Sequence, residues 1–270
     1  MGQPTEDIPF PLTTIRLMRR GPIGWLVLNR PQRKNALDAA MWEAIPQAME
    51  TLRHIADVRV IILRGAGREA FCSGADIGQF SQLRQADSAR AYEAMNLRAL
   101  DAIKTAAVPT IAMIHGHCIG GGLALALACD IRLAADDARF ALPPARIGLA
   151  YPLEGLADLL KAVSAAVAKE MIFTARALQA GEAARHGLVN AVHPAGELVE
   201  ATLDLAARMA ANAPLTIAHA KAAIDAIAAG CLDKERQRLT AMAAACEQSR
   251  DYAEGIAAFM EKRRPHFCGR

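Results

Sequence analysis

The chain predicts an α/β protein whose strand-and-helix core runs into a helical C-terminal region. Three observations carry that expectation. Short runs rich in Val, Ile and Leu alternate with stretches of helical period through the first two-thirds of the sequence. At Ile114–Asp130 (IHGHCIGGGLALALACD) an apolar run meets a glycine triplet and then a second apolar run, which reads as strand, loop and helix start. From Leu153 onward the helical period dominates.

In chain order, residues 1–12 hold three prolines and read as an irregular lead-in. Thr13–Arg19 and Ile23–Leu28 read as strands joined by a Gly21-Pro22 turn. Asn29–Leu37 (NRPQRKNAL) is a polar, basic loop, and Asp38 is placed to cap a helix over Ala39–His54. Val58–Arg64 is a buried strand. Ser88–Thr105 is an amphipathic helix with Tyr92, Met95, Ala99 and Ile103 on one face. Val108-Pro109 breaks it and leads into the strand Thr110–Ile114. The run Leu123–Cys129 is helical, and Ile131–Ala134 and Arg139–Ala141 read as short strands. Pro143–Pro152 is a proline-rich loop. Helices are expected at Leu153–Ala162, Ala165–Phe173, Ala180–His186, Glu197–Asn212, Pro214–Ala229, Leu232–Glu247 and Asp251–Lys262, interrupted by one strand, Leu188–Val192.

Composition narrows the function. Of 270 residues, 53% are hydrophobic but only 4% aromatic, so alanine and branched aliphatics fill a sizeable core. The net charge of +3, from 31 basic and 28 acidic residues, is too balanced for a nucleic-acid-binding surface. The six cysteines are scattered without a CxxC pair, so neither a zinc nor a redox motif is expected; reduced thiols in a cytoplasmic protein fit better. No apolar run approaches a membrane span, and the opening MGQPTEDIPFPL lacks a signal pattern.

The chemistry concentrates at Gly120-Gly121-Gly122. The first N–H groups of a helix have no partner inside it, and the helix dipole adds partial positive charge there. An N–H at Gly121 therefore suits an oxygen that gains negative charge during a reaction. The alternative is a glycine-rich turn that merely packs a helix against a strand.

Further stretches tie these residues to a known family. Ile23–Leu37 resembles V-x-x-L-N-R-P…N-A-L, and Phe71–Ile77 (FCSGADI) resembles F-x-x-G-x-D-[IL]. Gly116–Asp130 resembles G-x-x-x-G-G-G…C-D, and Phe140–Gly148 resembles F-x-x-P-E-x-x-[LI]-G. Phe173–Val189 and the C-terminal Phe259–Phe267 continue the series in the same order. The chain thus resembles the enoyl-CoA hydratase/isomerase, or crotonase, family over roughly residues 13–267. The resemblance implies a spiral of ββα turns over residues 13–195. It also implies a helical region over 196–270 that builds a homotrimer or a dimer of trimers. The substrate it implies is an acyl-coenzyme A thioester, with no cofactor beyond the coenzyme A of the substrate, no metal, and neither nucleic acid nor membrane as partner. The shared chemistry is stabilisation of a thioester enolate by two backbone N–H groups, carried over onto Ala75 and Gly121. Coenzyme A contacts fall on Ser73, Gly74 and Ala75, with Arg33, Lys34 and Ala36 toward the nucleotide end. Asp76, Ile77, His117, Gly120, Pro143 and Pro144 complete the implied binding set. The basic residues of the set also fit a solvated face.

At two positions the sequence departs from the family. A hydratase of this family uses two glutamates, one just beyond the glycine triplet and one in F-x-x-P-E. This chain has Ala124 and Pro144 there. Adding water across a double bond needs a base for the water and an acid for the α-carbon, and neither residue can serve. Tyr151, in Gly148-Leu149-Ala150-Tyr151, is the polar candidate nearby, and its spacing resembles the methylmalonyl-CoA decarboxylase branch. Loss of CO2 generates the enolate without a base. A loop tyrosine that simply packs on the core is the competing reading of Tyr151. Three functions stay open: enolate chemistry on an acyl-CoA without the usual glutamates, acyl-CoA decarboxylation, and acyl-CoA binding without catalysis. Asp76 is expected to brace its loop rather than act as a base.

Overall fold

A computed structural model describes residues 5–76, 78 and 86–270. Eleven strands appear among these residues: β1 Glu6–Ile8, β2 Ile15–Arg20, β3 Ile23–Leu28, β4 Val60–Gly65, β5 Ala70–Cys72, β6 Thr110–Ile114, β7 His117–Ile119, β8 Ile131–Ala135, β9 Arg139–Ala141, β10 Leu178–Gln179 and β11 Ala191–His193. They form two sheets. The large one has the order β1-β2-β3-β4-β6-β8-β11 and the small one β10-β9-β7-β5. From β4 to β9 the chain alternates between them, one strand in each. Its helices close the turns: α1 Ala39–His54 before β4, α2 Ala86–Lys104 after β5, and α3 Gly121–Ala128 after β7. This is the expected ββα spiral.

The strands of the large sheet from β3 to β11 run parallel, while β1, β2 and β3 are antiparallel. Parallel strands covered on both faces read as unbroken apolar runs. β3 shows the cause: all six of its residues are buried. Leu26 and Leu28 face a core shared with α1, α2, α3 and the small sheet. Ile23, Trp25 and Val27 face a second core under Leu198, Ala206 and Ala210. Those three belong to a helix, Leu198–Ala210, that packs on the large sheet. The boundary expected at 195/196 therefore precedes one more sheet-covering helix, and the helices Pro214–Ala228, Leu232–Glu247 and Arg250–Met260 follow it.

Four local expectations are corrected. The lead-in is not wholly irregular, because Glu6–Ile8 pairs with Leu17–Arg19 along the free edge of β2, and Asp7 meets Arg16 at 2.9 Å. His117–Ile119, expected as loop, is a strand between β5 and β9. Three residues are too few to show an alternation, and their partners are distant in sequence. The strand expected at Leu188–Val192 begins at Ala191. Leu188 and Val189 are buried in the turn after the helix Ala180–Arg185, with Leu188 N–H donating to Ala183 O at 2.8 Å. The loop Pro143–Pro152 contains a 3-10 turn, Pro144–Ile147. No helix among the described residues is long and apolar enough to cross a membrane.

Candidate active site

Three segments converge on one cleft. The first is the basic loop 30–37, held by Asn35. That residue has a left-handed φ of 55° and is fully buried. Its side chain accepts from Arg30 N–H at 3.0 Å and donates to Ala66 O and Ala70 O at 3.0 and 2.8 Å. Arg30 adds a bond to Ala36 O at 2.8 Å and ion pairs with Asp38 and Asp76 at 3.4 and 3.0 Å. Asp76 also accepts from Gly78 N–H at 3.2 Å. The Arg30 guanidinium holds the Asp76 carboxyl below its usual range. Asp76 is thus a brace, and it does not line the cleft. Sequence reading passed over Arg30 and the inward role of Asn35; the signal was the pair of Arg and Asn five residues apart around a Pro.

The second segment is Ser73–Asp76, laid beside the first. Ser73 N–H donates to Lys34 O at 3.0 Å, Leu37 N–H to Gly74 O at 2.8 Å, and Asp76 N–H to Leu37 O at 2.8 Å. In this parallel bridge between Leu37 and Ala75, the N–H groups of Leu37 and Asp76 are used. The alternation of a strand then turns the N–H of Ala75 to the other side, where no described residue accepts from it.

The third segment is the start of α3. Gly120 takes φ 54° and ψ −117°, a conformation closed to side-chain-bearing residues, and its N–H donates to Ala141 O at 2.9 Å. Gly121 follows with its N–H unpaired among the described residues, as expected at the first turn of a helix. The two free amides are neighbours. A β-carbon on Gly121 would lie 3.6 Å from Ala75 N, and one on Gly74 would lie 3.5 Å from Gly121 N. The indole of Trp42 closes the other side, since a β-carbon on Gly121 would stand 3.0 Å from its Cζ2.

These amides open into a cavity of about 240 Å³. Its wall contains Ser73, Gly74, Ala75, Gly120 and Gly121, together with Pro143, Pro144 and Tyr151. Ala124 is there too, so the two positions at which the resemblance implies glutamates line the cavity and hold no carboxylate. The Tyr151 ring packs against α4, Leu153–Ala162, at Gly155, where a β-carbon would come within 2.6 Å of Cε1. Burial first, then the nearby Asp158, pushes the Tyr151 phenol pKa up, so the hydroxyl stays protonated and can donate. No described residue bonds it. Two more polar atoms of cavity-wall residues lack a partner among the described residues, Trp42 Nε1 and Asn96 Oδ1.

Other candidate residues lie elsewhere. Arg33 and Lys34 stand exposed above Ser73, whose hydroxyl donates to Arg33 O at 3.3 Å; Lys34 pairs with Glu69 at 2.9 Å. Ala36 is buried and does not line the cavity. His117 sits on β7, between Ala70 and Arg139, outside the cavity wall. Ile77 is not among the described residues, nor is most of the 78–87 stretch. Burial pushes the thiols of Cys72 and Cys129 up to about 12 and raises Cys118 as well, so none is a nucleophile. Helix α2 contributes a wall that sequence reading did not assign to the site: Tyr92, Glu93, Asn96, Leu97 and Leu100.

A spiral of ββα turns that points two unpaired amides into an apolar cleft defines the crotonase class. A family model described as Enoyl-CoA hydratase/isomerase matches residues 19–270. The chain belongs to the enoyl-CoA hydratase/isomerase family. It is 36% identical over 262 residues to the Mycobacterium tuberculosis protein named "Probable enoyl-CoA hydratase echA8", covering 95% of this chain and 98% of that one. It is 31% identical over 256 residues to a crotonyl-CoA hydratase of Syntrophomonas wolfei, covering 95% and 98%. A solved enoyl-CoA hydratase/carnithine racemase of Magnetospirillum magneticum superposes with a TM-score of 0.87 at 38% identity, covering 96% and 97%.

Proposed function

We propose that this chain acts on acyl-CoA thioesters by holding the thioester oxygen between the N–H groups of Ala75 and Gly121. The reaction then passes through an enolate, without the two glutamates of a hydratase. The observation that carries the reading is the pair of apposed amides, without an acceptor among the described residues, at the mouth of α3. Charge moving onto the oxygen meets two fixed donors and a helix N-terminus in a site walled by Trp42, Leu142 and Pro144. Such donors are already oriented, so no reorganisation is needed as the charge develops. The coenzyme A moiety runs past Ser73 and Gly74 toward Arg33 and Lys34. Exposed pairs such as Lys34–Glu69 are weak, so Lys34 is available to a phosphate. The chemistry needs no metal or redox group, and the protein is expected in the cytoplasm.

Hydration of crotonyl-CoA is expected to be feeble. Each acid–base group contributes about 10²–10⁴-fold in typical enzymes, and Ala124 and Pro144 contribute nothing of that kind. Turnover measured on crotonyl-CoA, malonyl-CoA and methylmalonyl-CoA, beside binding of each, tests the reading. Hydration at the ordinary rate of the family's hydratases would overturn it, as would failure to bind any acyl-CoA.

A second reading, decarboxylation, is favoured by Tyr151. Its protonated phenol faces the cavity and is suited to protonate an enolate left by CO2. Turnover on malonyl-CoA or methylmalonyl-CoA that falls in Tyr151→Phe while binding holds would select it. Binding without turnover on the whole panel would select the non-catalytic alternative.

We also expect a trimer or a dimer of trimers. On the C-terminal helices Ile224, Ile227, Phe259 and Met260 are 60–82% exposed, with Phe173 at 74%, more large apolar surface than scattered single residues present. Light scattering at micromolar concentration should read three or six chains; a monomer refutes the assembly.

A further inference from the structure

We infer that Glu93, on helix α2, is the carboxylate that takes and returns the acyl proton in this site. This rests on the acyl-CoA reading above and supplies the base that Ala124 and Pro144 cannot. Glu93 is the only carboxylate among the described residues of the cavity wall. The wall residues of α2 are Ala89, Tyr92, Glu93, Asn96, Leu97 and Leu100, a spacing of three and four that lays one helix face along the cavity. The amides of Ala75 and Gly121, from the loop after β5 and the start of α3, belong to the same wall.

Two properties suit Glu93 to the task. Its carboxylate makes no ion pair or hydrogen bond with any described residue, so no described cation competes for it. It is also exposed while lining the cavity, so it can pass its proton to bulk water between turnovers. The remaining titratable groups of the described wall are the phenols Tyr92 and Tyr151, and burial keeps the Tyr151 phenol protonated, a donor rather than a base.

The step balances without a co-reactant. The α-carbon C–H bond breaks, the proton goes to a Glu93 oxygen, and the electron pair moves into the enolate, whose oxygen is held by the two amides. Return of a proton from Glu93 to carbon restores the thioester. In heavy water the carboxyl group exchanges with solvent and returns deuterium.

Butyryl-CoA is the probe, since it has an α-hydrogen but neither a double bond to hydrate nor a carboxylate to lose. The measurement is deuterium incorporation at its α-carbon by NMR, with the dissociation constant from calorimetry, for the full chain and for Glu93→Gln and Gly121→Pro. The expected result is exchange by the parent protein that falls at least about 100-fold in Glu93→Gln, the low end for loss of a general base, with the dissociation constant unchanged. A Glu93→Gln rate within about threefold of the parent overturns the assignment. If Gly121→Pro is meanwhile silent, the oxyanion reading survives and only Glu93 falls. Binding of butyryl-CoA with no exchange by the parent also overturns the assignment. Absence of butyryl-CoA binding overturns both readings together.

Discussion

Replacing Gly121 by proline is expected to lower any enolate-dependent turnover by about 10²–10³-fold, the usual cost of one oxyanion donor. Proline deletes the N–H and fixes φ near −65°. Gly121 is the first residue of α3, where a helix tolerates proline because that N–H has no intrahelical partner. The new ring must still fit beside Trp42 Cζ2, 3.0 Å from the β-carbon position, so circular dichroism and acyl-CoA binding serve as folding controls. Ala75→Gly is the matched comparison, because it keeps the backbone donor and should change turnover little. A productive acyl-CoA complex with its thioester oxygen beyond hydrogen-bond reach of both amides would sink the assignment.

The second large effect is expected one residue further on. A β-carbon at Gly122 would stand 2.4 Å from Cys72 O and 2.7 Å from Cys72 Cβ. Both belong to β5, so Gly122→Ala must push α3 away from the strand that leads to Ala75. Overpacking of this kind costs about 1–3 kcal/mol. For a chain of this size each kcal/mol lowers the melting temperature by about 2–4 °C. Activity should fall further than stability, because the same displacement parts the two amides. Thermal unfolding and turnover measured on one preparation check both; an unchanged melting temperature would show that β5 and α3 separate freely.

The sequence carried the parts of this protein that depend on neighbours in the chain. The buried parallel strands were legible as unbroken apolar runs, and Asp38 was legible as the cap of α1, where it accepts from Met41 N–H at 2.8 Å. The glycine triplet marked the proposed oxyanion site, because the conformation at Gly120 and the close approach of Gly122 to Cys72 exclude a side chain. Ala124 and Pro144 announced the missing carboxylates. What sequence could not assign depends on pairing between distant segments. Strand β7 exists only because Ala70 and Arg139 flank it, and β1 only because β2 offers an edge. His117, Ala36 and Asp76 belong to the right stretches, yet the packing of the loops leaves them outside the cavity wall. Glu93 is the converse case. Its helical period marks only a face, and nothing local distinguishes it from a solvated glutamate. Only the fold lays α2 along the cleft and brings that carboxylate to the same cavity as the two amides. A charge has a role once its surroundings are fixed, and here the wall that Glu93 shares with Gly121 joins residues some thirty positions apart in the chain.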